Sequence, residues 1–262
     1  MARLVLDLKK SIEENASDYY EKAKKIKRKI GGAEEALRKS LKKLKELEEK
    51  REKHEAKEEK LSKAKERKKE WYEKFRWFVS SDGFLIIGGR DATSNEIIIK
   101  KHAEKNDLVL HTDMAGSPFF VIKANNKGIP KTTIKEVADA TCTFSRAWKL
   151  GLQTTDVFYV APEQVSRKAK SGEYLTKGAF MIYGKTNYME NKANLAIGLA
   201  KDNAIMSGPL EAVKNHCEKY VILKQGDEKA SSIAKKISHK LGGNLDLDEV
   251  IRALPAGNFK IQ

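Results

Sequence analysis

Ten apolar residues, Ile12, Ala16, Tyr19, Ala23, Ile26, Ile30, Ala33, Leu37, Leu44 and Leu47, fall on one alternating three-four spacing, with Ser40 the only polar occupant of the stripe. That spacing gathers the side chains on one face of a helix and scatters them across both faces of a strand. It therefore constrains the beginning of the chain to a long amphipathic helix of coiled-coil type. The stripe crosses Gly31 and Gly32 without losing phase, which predicts that the helix continues there despite a loss of roughly 1 kcal/mol per glycine relative to alanine. The competing reading places a turn at that pair. A second stripe, Leu61, Ala64, Trp71, Phe75 and Phe78, with Lys68 at the remaining position, predicts a return helix over 57–78. The reversal is expected at 49–57, where stripe positions carry no apolar residue. Residues 1–78 thus read as an antiparallel coiled-coil hairpin whose first helix reaches roughly 55–60 Å at ~1.5 Å per residue.

From Trp77 the pattern changes to short β-rich runs, expected as strands over 77–80, 84–87, 96–100, 108–111 and 119–123. Asp82-Gly83, Gly88-Gly89 and Ser117-Pro118 bound them as turn signals. Residues 132–150 have helical spacing, with Gly151 at a plausible C-cap. Further strands are expected over 157–160 and 179–183, joined by a long polar loop over 161–178. From residue 191 the order reads strand (195–199), strand (204–207), helix (210–216), strand (219–224), then helices near 228–241 and 247–254. The fold class is α+β: a helical arm over 1–78, a mixed domain over 79–190 and a small α+β extension over 191–262.

The function classes narrow with charge. Lys and Arg number 52 against 37 Asp and Glu, a net charge of +15, and both parts of the chain are basic: 26 against 17 in residues 1–80, 26 against 20 in the rest. Such an excess points to a polyanionic partner, nucleic acid first and an acidic membrane surface second. No run approaches the ~18 apolar residues of a membrane span, and no signal peptide opens the chain, so a soluble, cytoplasmic protein is expected. Cys142 and Cys217 lack metal-ligand spacing and read as buried thiols in a reducing compartment.

Three polar clusters can carry chemistry. Residues 88–96 hold a backbone-permissive glycine pair followed by Arg90, Asp91 and Asn95, and lead on to Lys100 and Lys101. Arg90 is placed to contact a phosphate or base edge, with Asp91 orienting it and Asn95 adding amide donors and acceptors; the bland alternative is that Arg90 and Asp91 only hold the turn. Without the Lys-Ser/Thr ending of a phosphate loop, this segment is not a nucleotide hydrolase motif. The second cluster holds His111, Asp113 and Ser117. His111 and Asp113 sit two apart, on one face of an extended strand, a spacing that suits metal binding or acid-base work but has no third ligand, so neither a metal nor a cofactor is expected. The third is the 161–178 loop: Gln164, Ser166, Arg167, Lys168, Lys170, Tyr174 and Lys177 suit a phosphate backbone with one stacking face, or a solvated loop. Lys185 follows the next strand.

Residues 71–78, 88–96, 107–118, 161–177 and 180–185, in this order, together resemble the RNA-binding NFACT-R domain of the NEMF/RqcH (NFACT) ribosome quality-control family, and residues 14–24 are similar to the start of that family's coiled-coil arm. The resemblance covers most of residues 5–254 and lies toward the archaeal and eukaryotic branch. It implies binding to tRNA and large-subunit rRNA on 50S/60S subunits obstructed by peptidyl-tRNA, and support of C-terminal tailing of stalled nascent chains. The family's N-terminal regions have no counterpart here, so the resemblance implies a longer protein and no tailing by this chain alone. Ala115 stands where relatives commonly have a second histidine, which weakens a metal or catalytic reading of His111 and Asp113. A non-enzymatic RNA-binding module is expected. The alternatives are a metal-assisted RNA or peptidyl-tRNA hydrolase using His111 and Asp113, and a scaffold whose arm recruits a ubiquitin ligase or ribosomal stalk protein.

Overall fold

Ser11 begins the first helix of the computed structural model, α1 (Ile12–Ser62), with a reciprocal cap: its hydroxyl accepts from the Glu14 N–H at 3.1 Å while the Glu14 carboxylate accepts from the Ser11 N–H at 2.8 Å. Such a box satisfies donors that the first helical turn leaves without partners. The preceding residues fold back onto it. Asn15 is buried, its amide donating to the Asp7 and Ser11 carbonyls and accepting from the Asp7 N–H, and the Tyr19 hydroxyl donates to the Val5 carbonyl at 2.8 Å. The structure describes residues 5–62, 68–167, 178–243 and 245–262, with the backbone alone for 46 and 49–62. The chain divides into two compact units, residues 1–66 and 67–262.

In the first unit α1 runs 51 residues, about 75 Å of helix, straight through Gly31 and Gly32 as the preserved phase predicts. Residues 49–57, expected to reverse the chain, are helical too. That stretch has neither Gly nor Pro and is built mostly of Glu, Lys and Arg, residues of good helix propensity; losing the apolar stripe is not a signal to turn. The expected return helix over 57–78 is likewise corrected: 57–62 prolong α1, 63–67 lie outside the described residues, and 76–79 are strand. Ile26, Ile30, Leu37, Leu44 and Leu47 of the stripe are all exposed.

The second unit is α+β, as expected. Strands β1 (Arg76–Val79) and β2 (Leu85–Gly88) form a hairpin turning at Gly83, whose φ of 84° glycine adopts freely. Helix α2 (Ala92–Ile97) continues as a π-turn through Ile98–His102 and is followed by β3 (Leu108–Thr112) and β4 (Phe120–Ile122). The predicted helix over 132–150 is two pieces, α3 (Lys131–Phe144) and α4 (Arg146–Lys149), broken where Ser145 turns extended to cap α4 by accepting from the Ala147 N–H. Then come β5 (Val157–Val160), the two-residue β6 (Val165–Ser166) and β7 (Met181–Ile182), which pair with each other, and β8 (Asn187–Met189). The remainder is β9 (Leu195–Ala200), β10 (Ile205–Gly208), α5 (Leu210–His216), β11 (Cys217–Lys229), α6 (Ala230–Leu241), α7 (Leu247–Ala253) and β12 (Asn258–Ile261).

Six strands make one antiparallel sheet in the order β1-β2-β4-β3-β5-β8, and four more make a second, β10-β9-β11-β12. Apart from its edge strand β8, the larger sheet is buried on both faces, which is why its strands are nearly continuous apolar runs. Neighbouring residues point to opposite cores with the strand period of two. Ile86, Leu110, Phe120 and Ile122 join the main core with α3 and the smaller sheet, whereas Ile87, Val109, Val121 and Phe158 join Phe75, Ile98 and Phe119 in a second core. The main core runs from Trp77 to Phe259, so residues on either side of position 190 are packed in one cluster.

Candidate nucleic-acid interface

Gly88 and Gly89 leave β2 with ordinary backbone angles, not left-handed ones. This corrects the expectation of a backbone-permissive pair. They are glycines for want of space: a Cβ on Gly88 would stand 2.3 Å from the Phe120 ring, and one on Gly89 would stand 1.7 Å from Asn95 Oδ1. Just beyond, Asp91 caps α2 by accepting from the Ser94 N–H at 2.7 Å, and Ser94 Oγ accepts in turn from the Arg90 and Asp91 N–H groups, each at 2.8 Å. Capped in this way, the run Ile97-Ile98-Ile99 is helical, although its β-branched residues predicted a strand over 96–100. The cap satisfies the first turn and the helix buries Ile98 completely in the second core, which outweighs β propensity.

Asn95 joins two polar clusters that are far apart in sequence. It is buried, its Oδ1 accepting from the Phe119 N–H at 3.1 Å and its Nδ2 donating to the Ser117 carbonyl at 3.4 Å. The same carbonyl accepts from His111 Nε2 at 3.2 Å, and the imidazole stacks on Phe119 with centroids 4.0 Å apart. Burial pushes the His111 pKa down, against the opposing pull of its backbone bonds, so the ring is neutral at neutral pH. Ser117 is buried and donates to the Met114 carbonyl at 2.7 Å. Arg90, Asp91, Asn95, His111 and Ser117 thus border one groove of about 470 Å³, walled also by Phe119 and Phe180.

Arg90 braces the groove as well as lining it. Its guanidinium donates to the Phe75 carbonyl at 2.8 Å and the Glu73 carbonyl at 3.3 Å. Its pKa is lowered, first by burial and then by Arg252. His111 and Asp113, expected on one strand face, part company because β3 ends at Thr112; the Asp113 carboxylate accepts from the Tyr188 hydroxyl at 3.0 Å. Among the described residues, no three His, Cys, Asp or Glu side chains gather where they could hold a metal.

The basic candidates among the described residues are held in different ways. Lys100 and Arg167 both pair with Glu96, at 3.5 and 3.1 Å, and Glu96 also accepts from the Gly178 N–H, so the loop base is tied to α2. Lys101 is exposed, and Ser166 lies in β6. Gln164 fastens the two ends of the loop, its Nε2 donating to the carbonyls of Tyr183 at 2.8 Å and Lys185 at 3.0 Å. Lys168, Lys170, Tyr174 and Lys177 lie outside the described residues. Nothing in the local pattern marked the aromatic wall. Phe119 and Phe180 meet edge to face at 5.2 Å, yet each reads only as part of an apolar strand run.

Residues 74–184 match the NFACT protein RNA binding domain. Over 200 residues, 74% of this chain, it is 41% identical to the archaeal Rqc2 homolog aRqcH of Methanocaldococcus jannaschii. The chain belongs to the NEMF/RqcH family. The human ribosome quality control complex subunit NEMF is 39% identical over 67% of this chain, and the Drosophila melanogaster NEMF homolog 34% over 74%. The chain spans 30% of the archaeal relative and 16% and 19% of the other two. The match takes in the groove wall from Arg90 to Phe180 and every candidate residue except Lys185, while Ala256 of the same wall lies outside it. No helix among the described residues is long and apolar enough to cross a membrane.

Proposed function

We propose that this chain is an RNA-binding module of a ribosome quality-control factor, holding tRNA or rRNA of large ribosomal subunits obstructed by peptidyl-tRNA and so supporting C-terminal tailing of the stalled chain. What carries the reading is a coincidence of position. The match to an RNA-binding domain falls on the residues that the fold draws into the Arg90–His111 groove, in a chain of net charge +15. Arg90, Asn95, His111, Lys168 and Lys177 are the proposed contacts, flanked by Asp91, Lys100, Lys101 and Arg167. The groove supplies a neutral imidazole, an amide, a serine and two phenyl rings, groups suited to a base edge and face, while Arg76 and Arg90 at the groove suit the backbone phosphates. The role is binding rather than catalysis: His111 Nε2 is engaged by Ser117 and Asp113 by Tyr188, which leaves neither poised as an acid-base pair.

Filter binding of tRNA at rising salt tests it. Affinity dominated by about four phosphate contacts gives a slope of about −3 in log K against log salt. No binding at low salt, or a slope near zero, sinks the proposal. A second reading rests on the exposed stripe of Ile26, Ile30, Leu37, Leu44 and Leu47: that α1 docks a helical partner such as a ubiquitin ligase or stalk protein. Capture of that partner by the chain after nuclease treatment supports it, and its loss on replacing Leu37 and Leu44 with Lys locates it on the stripe.

A further inference from the structure

Arg76, Arg90 and Phe144 border a second cavity as well, one of about 440 Å³ that also takes in Trp71, Ser207 and Arg252. Its volume lies within the range of sites for small organic ligands, ~300–1,000 Å³. Two buried side-chain polar atoms lack a hydrogen-bond partner among the described residues, Arg90 Nε and Ser207 Oγ. Both belong to residues lining this cavity. An unmade bond of this kind costs about 1–3 kcal/mol, and a small shift of the lining that uncovered either atom would let a ligand satisfy it.

The charge around the cavity says what that ligand is. Arg76 lies over the Phe144 ring at 4.6 Å and donates to the Leu254 carbonyl at 2.9 Å. Burial, and then the neighbouring Arg90, pulls its pKa down to about 10. Arg90 is lowered in the same way by burial and Arg252. Three guanidiniums therefore press on one another in sequence. Three carboxylates, Glu70, Glu73 and Glu249, line the cavity beside five cations, Lys69, Lys74, Arg76, Arg90 and Arg252; Glu249 is engaged by Lys69, and Glu73 accepts from the Glu70 N–H at 2.7 Å. Arg252 is exposed and makes no hydrogen bond or ion pair among the described residues. At the rim stands Trp71, 45% exposed and held from one side by His102, stacked at 4.6 Å and 16°. A fixed, half-exposed indole beside an arginine cluster is the pairing that recognises a base and its phosphate together.

We propose that this cavity binds a nucleotide phosphate, its oxygens accepting from Arg90, Arg252 and Ser207 and its base stacking on Trp71. The nucleotide is either a residue of bound RNA, in which case the site rests on the RNA-binding reading above, or a free mononucleotide, in which case it does not. Calorimetric titration of the full chain with adenosine 5′-monophosphate tests it, beside the tRNA filter assay. Binding is expected, weakened about tenfold or more by Arg252→Glu and severalfold by Trp71→Ala, with the circular dichroism of both variants unchanged. Both side chains reach solvent, and Trp71→Phe, which keeps a stacking face, should restore part of the loss. If the mononucleotide competes with tRNA, the site holds an RNA nucleotide; if it binds without competing, the source is free nucleotide. Absence of mononucleotide binding up to millimolar concentration, or binding that Arg252→Glu leaves unchanged, overturns the proposal. Were tRNA still bound in that case, the RNA-binding reading would stand without it. Mononucleotide binding without tRNA binding removes that reading alone.

Discussion

Gly89 shows how a single residue can decide the geometry of a site. Its missing Cβ leaves the volume that the Asn95 amide occupies, and that amide fastens the turn after β2 to the loop before β4. Gly89→Ala must displace Asn95 and strand the Phe119 N–H. The expected result is a loss of about 1–3 kcal/mol in urea unfolding, together with weakened RNA binding. His111 acts through its charge state. Its folded pKa lies below the ordinary imidazole value, so the unfolded chain takes up the proton first as pH falls. The stability this contributes is whole above about pH 6.5 and is lost as pH drops below that value toward the folded pKa. His102 is lowered too, by burial and then Lys74, and shares the same window. Unfolding midpoints at neutral and mildly acidic pH should therefore differ less in His111→Gln than in the natural sequence. An unchanged difference would show that His111 gains no proton on unfolding.

Among elements, α1 and α2 are both helical where the local pattern predicted otherwise, for a common reason: helix starts and stops are written in caps and breakers, not in the apolar pattern alone. Residues 49–57 lose the stripe yet contain no breaker, so the helix continues; Ile97-Ile98-Ile99 has strand composition, yet Asp91 and Ser94 cap a helix in front of it. Gly31 and Gly32 are the weak points of α1. Neither has a positive φ, and nothing lies within 4 Å of a Cβ placed on either. Gly31→Ala and Gly32→Ala should thus each stabilise α1 by up to about 1 kcal/mol, read as a higher helix-melting temperature in far-ultraviolet circular dichroism. A lower melting temperature would mean that the glycines are required for a close approach or a bend.

At the scale of the whole molecule, residues 191–262 matter more than their place after the RNA-binding match implies. Leu195, Ile197, Met206, Val213, Ile237 and Phe259 are buried in the cluster that also holds Trp77, Phe78 and Phe120. Each such side chain contributes about 1.5–3 kcal/mol by burial, and their sum approaches or exceeds the ~5–15 kcal/mol net stability of a typical domain. Residues 67–190 alone should lose near-ultraviolet circular dichroism and bind a hydrophobic dye, whereas 67–262 should unfold in one transition. A cooperatively folded 67–190 fragment would refute this. The nucleotide cavity depends on the same union, because Trp71 and Arg90 precede position 190 while Ser207 and Arg252 follow it.

Periodicity, turn residues and charge determined by themselves the long first helix, its passage through the glycine pair, most strands of the second unit, the α+β class and the excess of positive charge. Those properties are local or additive, so they can be read along the chain. The sequence also singled out Arg90, Asp91, Asn95, His111 and Ser117, but as separate clusters. Only the tertiary structure decided that Asn95 and His111 share the Ser117 carbonyl, that Arg90 braces the Phe75 carbonyl, and that Phe119 and Phe180 wall the groove. The meeting of Arg76, Arg90 and Arg252 had no local signal at all. It depends on which distant segments the two sheets bring together around one core, and a pattern of neighbours along the chain does not encode that directly.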